Sequence, residues 1–275
     1  MRRYFQFKLV GLLALVLLSL CVQRSEVSKP AGLILTIDAP SSVRVGEEFE
    51  VYVDLENNAD KAYRIKKLEL FDVGSFKLIK CEPELQNRFP ILPHGAKTLT
   101  CRLRAEQAIR DRVEVQIAAR VIYENNVSFV QDFDVVSFEE YQKRVKAKQW
   151  KELPKSFTKQ SEEIKATIEL SENPMIKRNL TETLSVKFSD IGNGLLTKIN
   201  CTLSSLPLNL LYCLNCQKVK ERWACAAHVK DKESEPLTCL VNLSAINQSY
   251  LKVFTKIQLS YDYEIRKTAR IKVVR

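Results

Sequence analysis

The cysteines and histidines carry the spacing that most directly suggests chemistry. From position 213 to 228 the chain reads CLNCQKVKERWACAAH, which sets Cys213, Cys216, Cys225 and His228 at C-x2-C-x8-C-x2-H spacing. Three chemistries fit. Two short knuckles joined by a loop can close around a structural zinc ion, which folds a segment too small for its own core. Cys225 can instead bridge to Cys213 or Cys216, giving a disulfide hairpin with one thiol left over. A redox-active C-x-x-C would need a helix starting at Cys213 to lower the thiolate pKa, a setting that usually belongs to a βαβ unit.

The compartment ranks these readings. The chain opens MRRYFQFKLVGLLALVLLSLC: Arg2, Arg3 and Lys8 form a positive head, and residues 9–22 form an apolar run shorter than the ~20 residues of a membrane span. Residues 1–22 are therefore read as an export signal or a retained N-terminal anchor. The C-terminal ARIKVVR has no apolar tail, so an anchor is expected at the N-terminus. The LSLC stretch resembles a lipobox, but Leu20 stands where a small residue normally precedes the cysteine, which argues against lipid on Cys21. Export leads to an extracellular or cell-surface location. An oxidising compartment puts the disulfide hairpin ahead of zinc, and zinc ahead of the redox pair.

The elements that must position these residues read as strands. Phe49, Val51, Val53 and Leu55 alternate with polar residues, as do Val113, Val115 and Ile117, and Leu184, Val186 and Phe188. With only 7 glycines, the turns are expected to use Asn and Asp, as in ENNADK and YENNVS. The order FKLIKC, KTLTCRL, RVEVQIAARVIYENNVSF is echoed by LLTKINC, EPLTCLV, LKVFTKIQLSYDYEI. This predicts two related domains, residues 30–136 and 164–275, each large enough for one sandwich core. Between them, residues 137–163 form a charged linker. Ser137 and Glu140 make a capping box, Phe138, Tyr141 and Val145 share one helical face, and Lys143, Arg144, Lys146 and Lys148 line the other. So narrow a stripe favours a solvated spacer helix over one resting on an anionic membrane.

The stretch APSSVRVGEEFEVYVDLENNADKAYRI, followed by ILPHGAKTLTCRL, resembles the immunoglobulin-like domains of prokaryotic cell-surface proteins, of the CARDB and S-layer-associated type. The resemblance covers most of the first domain and only the pattern of the second. It implies an all-β fold of two tandem immunoglobulin-like sandwiches. It also implies extracellular work in spacing, adhesion or assembly, with no catalytic residues to carry over.

The repeat also assigns cysteines. Cys81 and Cys101 match Cys201 and Cys239, which predicts one disulfide in each domain. Residues 211–230 then read as an insertion in a loop of the second sandwich, cross-linked and dispensable for the fold. Candidate glycosylation sequons stand at Asn126, Asn179, Asn200, Asn242 and Asn247.

Catalysis finds little support. His94 and His228 are the only histidines, no short-range carboxylate pair has an apolar setting, and GNG at 192–194 reads as a turn rather than a phosphate loop. The formal charge of +10 favours anionic partners, but no aromatics are interleaved with a basic patch to stack bases. The expectation is a non-enzymatic, envelope-associated binding, adhesion or assembly protein without a cofactor. Its partner would be a cell-surface protein or glycan and not a nucleic acid, with membrane association through the N-terminus. The competing reading is a zinc-binding or thiol-redox protein centred on Cys213, Cys216, Cys225 and His228.

Overall fold

The period-two runs fold as strands. In Glu48–Asn57, Phe49, Val51, Val53 and Leu55 point inward while their neighbours face outward, and in Thr181–Asp190, Leu184, Val186 and Phe188 do the same. A strand that alternates in this way buries one face and leaves the other in water. The computed structural model describes Gly32–Arg275 except residues 84–87, 107–111, 179–180 and 245–246, and it is all-β apart from a single helix among the described residues. Residues 1–22, Cys21 among them, and Asn179 lie outside the described residues.

In chain order the elements are β1 (Leu33–Asp38), β2 (Ser42–Arg44), β3 (Glu48–Asn57), β4 (Tyr63–Asp72), β5 (Phe76–Glu82), β6 (Phe89–Ile91), β7 (Ala96–Ala105) and the long β8 (Arg112–Ser137). Helix α1 (Phe138–Lys146) follows, then β9 (Ser156–Gln160), β10 (Ile164–Leu170), β11 (Met175–Lys177), β12 (Thr181–Asp190), β13 (Leu195–Leu206) and β14 (Leu210–Cys213). The chain closes with β15 (Cys216–Val219), β16 (Arg222–Lys230), β17 (Glu233–Ser234), β18 (Leu237–Asn242) and the long β19 (Tyr250–Val274).

Strands β1, β3, β7 and β5 form one sheet in that order. The larger sheet is built on β8 and β19, which are antiparallel partners from Val136 opposite Tyr250 to Arg112 opposite Val274. Near one end of this ribbon β4 pairs with β8 and β2 pairs with β19. Near the other, β13 pairs with β19, and β16 with β13. The short β17 links β16 to β12, beside which lie β10 and β18, with β9 and β14 beyond them. The inward faces of both sheets contribute to one apolar cluster.

The expected limits at 136 and 164 fall at the end of the β8 ladder and the start of β10, but β8 and β19 pair with each other along their length and so join the two halves. The last part of β19, residues 262–274, runs beside the stretch of β8 that pairs with β4, and Gly32–Arg275 forms one compact unit. The physical cause lies in YENNVS. It was expected to turn, but it continues straight through β8, because Asn125 is buried and fully occupied there rather than capping a loop. ENNADK does turn, around the buried Asn57, whose Nδ2 donates to the carbonyls of Lys61 and Leu92 at 2.8 Å each.

Where the ribbon passes from one group of strands to the other, Tyr123 faces Tyr263 and Asn125 faces Tyr261. A turn at Ser161–Glu163 docks on this point. The buried carboxylate of Glu163 accepts from the Tyr123 hydroxyl at 2.8 Å, the Tyr261 hydroxyl at 2.8 Å and Asn125 Nδ2 at 2.7 Å. Beside it, Glu162 accepts from the Tyr63 hydroxyl, and Asp190 accepts from the Tyr263 hydroxyl at 3.0 Å. Burial, above all, raises the phenols of Tyr63, Tyr123, Tyr261 and Tyr263 beyond their ordinary range, so they persist as donors. The GNG turn fits against the same residues, with the Gly194 N–H donating to the Tyr263 hydroxyl at 2.8 Å.

Helix α1 begins with Ser137 Oγ accepting from the Glu140 N–H at 3.1 Å. The reciprocal arm of the capping box is absent, because Glu140 accepts from Arg144 Nε at 2.7 Å instead. None of the helix's residues is buried. Its main anchor is Tyr141, held between Trp150 and the Arg178 guanidinium at ring distances of 4.7 Å each.

Candidate functional site

Among the described residues the cysteines form three disulfides, each between register partners on adjacent strands. Cys81 bonds Cys101 across β5 and β7, Cys213 bonds Cys239 across β14 and β18, and Cys216 bonds Cys225 across β15 and β16. Their Cα separations are 4.0, 4.0 and 4.3 Å, as facing side chains in antiparallel strands allow. Disulfides of this number mark a chain that matures outside a reducing cytoplasm.

The expected Cys201–Cys239 bridge is corrected. Strand β13, which carries Cys201, is not a neighbour of β18, while β14 places Cys213 directly opposite Cys239. Cys201 is a buried free thiol. Loss of hydration pushes its pKa up to about 12, against a weaker opposing hydrogen bond from the Cys225 backbone.

The proposed zinc set is also dispersed. Sulfurs bonded to one another as disulfides are not thiolate ligands, and His228 stands exposed on β16 opposite Lys198. Among the described residues no group of His, Cys, Asp or Glu side chains is arranged to hold a metal ion. The redox reading fares no better locally, since Cys213 and Cys216 flank a turn and each pairs with a different strand. The other histidine, His94, occupies a left-handed turn position at φ 55° and lies 3.1 Å from Asp60 on the surface.

Residues 211–230 are not an appendage. Strand β16 pairs with β13 from Lys198–His228 to Leu203–Trp223, and Trp223, Cys225 and Ala227 are buried. The alternation of RWACAAH is the sequence signal of this strand, whose buried and exposed residues alternate from Arg222 to His228.

On the outward face of β8, β19, β13 and β16 the registers build two rows of small uncharged side chains. The first is Asn126, Ser260, Asn200 and Ala226; the second is Ser128, Gln258, Thr202 and Ala224. With Asn215 and Gln217 at one edge, they line an open trough of about 860 Å³ in which no lining side chain is charged. At its rim Arg222 reaches Gln258 Oε1 at 3.5 Å. The side chains of Asn126, Ser128, Asn200, Thr202 and Ser260 have no hydrogen-bond partner among the described residues. Further along the same face, Phe254 and Leu206 are register partners, 48% and 65% exposed.

The sequons divide by position. Asn126 and Asn200 flank Ser260 in the first row of the trough. Asn242 ends β18, where its Oδ1 accepts from the N–H and hydroxyl of Ser244 at 2.9 and 2.6 Å. Asn247 is exposed. The trough is the feature that sequence reasoning missed, since its residues come from four strands and no local motif marks them.

No family model and no curated protein matches the chain. Among solved structures it is similar to native alpha-2-macroglobulin from Escherichia coli, spanning domain MG7 to the C-terminus, at 12% identity and TM-score 0.29, over 66% of this chain and 24% of that one. It is also similar to the secreted serine protease VesC from Vibrio cholerae, at 9% identity and TM-score 0.21, over 82% of this chain and 50% of that one. The YadV chaperone matches at 10% identity and TM-score 0.21, over 86% of this chain and 98% of its own. At these TM-scores none carries over a function. Among the described residues no helix is long and apolar enough to cross a membrane.

Proposed function

We propose that this chain is an exported, envelope-associated and non-enzymatic binding protein, with two immunoglobulin-like β-sandwich lobes sharing the β8–β19 ribbon, and that its outward trough takes a neutral glycan. The observation that carries this reading is the charge-free lining on a chain of formal charge +10. Amides and hydroxyls both donate and accept, which matches the hydroxyl groups of a sugar, and most of those in the trough have no partner among the described residues. Phe254 offers an exposed ring about 13 Å along the strand from Gln258, at roughly 3.3 Å per residue, where an apolar sugar face can rest. N-glycosylation is assigned in this reading to Asn242 and Asn247, away from the trough.

The test is binding of the purified native protein to immobilised neutral and acidic polysaccharides at low and high salt. Neutral ligands should bind with little salt dependence, since no ion pair is screened. Gln258→Ala and Phe254→Ala should each weaken binding about tenfold with the fold unchanged. Retention on acidic polysaccharides alone, lost as salt rises, would instead assign partner recognition to the basic surface.

A further inference from the structure

The three cysteines nearest the trough lie in one row. Cys201 on β13 is the register partner of Cys225 on β16, and Cys225 is the register partner of Cys216 on β15. Register partners project from the same face of a sheet at about 4.5–5.5 Å between Cβ atoms. A free thiol therefore stands on the strand next to Cys225, while Cys216, whose sulfur is bonded to that of Cys225 at 2.04 Å, comes from the strand beyond. Cys201 and Cys225 are buried, whereas Cys216 is half-exposed at the start of the hairpin strand. The remaining disulfides, Cys81–Cys101 and Cys213–Cys239, have no free cysteine of the described residues in register with them.

We propose that Cys201, Cys225 and Cys216 form a thiol–disulfide exchange site, in which Cys201 displaces Cys216 from Cys225 and delivers a free thiol to the surface hairpin. The step is balanced without an external oxidant or reductant. The Cys201 thiol gives up its proton and its thiolate attacks Cys225 Sγ; the Cys201–Cys225 bond forms as the Cys225–Cys216 bond breaks. Cys216 leaves with the electron pair and takes up a proton. One disulfide and one thiol are present before and after, but the thiol has moved from the core to the surface, and the staple has moved from β15–β16 to β13–β16.

Attack on Cys225 rather than Cys216 follows from adjacency, since only Cys225 faces Cys201. Burial holds the Cys201 thiol protonated in the closed fold, so exchange is slow until the sheet breathes or the pH rises. The product leaves β15 held only by its short ladder, Cys216–Val219 against β16. The surface thiol would then be open to exchange with a disulfide-bearing partner. This inference is independent of what the trough binds.

The experiment uses the full chain, incubated at mildly alkaline pH with and without a low concentration of urea, trapped with iodoacetamide and mapped by mass spectrometry. The expected result is a Cys201–Cys225 linked peptide together with alkylated Cys216, both increasing with pH and urea. Cys201→Ser should reduce Cys216 alkylation about tenfold or more. A second variant, Cys216→Ser, should mature with Cys201 bonded to Cys225. Alkylation confined to Cys201 with the Cys216–Cys225 bond intact throughout, or a Cys216→Ser protein in which Cys201 and Cys225 both remain free, overturns the proposal.

Discussion

Asn125 donates through Nδ2 to Glu163 Oε2 at 2.7 Å, and in doing so ties the middle of β8 to a turn 38 residues further along the chain. The Tyr261 hydroxyl donates to the same oxygen at 2.8 Å. Buried polar groups are tolerated only when such bonds are made, and removing one partner leaves the other unsatisfied at a cost of about 1–3 kcal/mol. Asn125→Leu should lower stability by that amount, and Tyr261→Phe by a similar or smaller one, measured by urea unfolding. If both were neutral, the Glu163 junction would not be holding the ribbon.

The same tyrosines predict how the fold responds to alkali. The folded-state phenols of Tyr63, Tyr123, Tyr261 and Tyr263 are raised above the ordinary value of 10.0, by burial first and by neighbouring carboxylates with it. Below that value both folded and unfolded states hold the proton, and the stability is fully present. Above it the unfolded chain releases protons that the folded chain keeps, so stability falls as pH rises. Of the chain's 9 tyrosines, these four should yield tyrosinate absorbance only as the β-sheet circular dichroism signal is lost. Titration of every tyrosine with the sheet signal intact would show that this junction is open to solvent.

The GNG turn supplies a sharper test of close approach. A Cβ on Gly194 would lie 2.3 Å from the Glu264 carbonyl oxygen and 2.5 Å from Tyr263 Cε1. Backbone cannot yield as a flexible side chain can, so Gly194→Ala should cost about 1–3 kcal/mol through overpacking. Gly46→Ala is the control for open space, since nothing lies within 4 Å of its Cβ position, although its φ of +83° adds backbone strain of its own. A melting temperature unchanged by Gly194→Ala would mean that the turn stands off from β19.

Alternation made the strands legible in the sequence, because a period of two is local and depends only on which face is buried. Phe49 to Leu55 and Leu184 to Phe188 illustrate it. What joins strands is not local. Asn125 looked like a turn residue because Asn usually serves turns, and nothing near it in sequence announces Glu163 or Tyr261. The cysteine repeat failed for the same reason. The spacing of Cys201 and Cys239 mimics that of Cys81 and Cys101, but only the pairing of β14 with β18 decides which thiol Cys239 meets. The trough needed four registers at once.

The shared ribbon changes what a fragment can do. Residues 30–136 contain β8 but lack β19, its partner along the whole length, and also lack the Glu163 turn. Such a fragment presents a long unpaired edge, which favours self-association. Expressed alone it should aggregate or unfold, whereas the chain from residue 30 to 275 should give a cooperative β-rich transition. A monomeric, protease-resistant 30–136 fragment with Cys81 bonded to Cys101 would instead show that the first half folds as an independent domain.

The stretch 211–230 gives the last prediction. Replacing it with a short turn removes most of β14 and all of β15 and β16, together with the buried Trp223, the partner of Cys239 and the edge that covers β13. Loop closure alone would tolerate such a change, since its entropy varies by only about 0.6 kcal/mol per doubling of length. Packing would not, because losing one buried aromatic already costs about 3–5 kcal/mol, a large part of the stability of an ordinary domain. The replacement should therefore leave the second half of the chain unfolded. Shortening only the exposed tip, residues 219–222, should be nearly neutral, with Cys216 still bonded to Cys225. Thermal melts of the two variants decide the matter: equal melting temperatures would mean that β16 adds nothing to the sheet it completes.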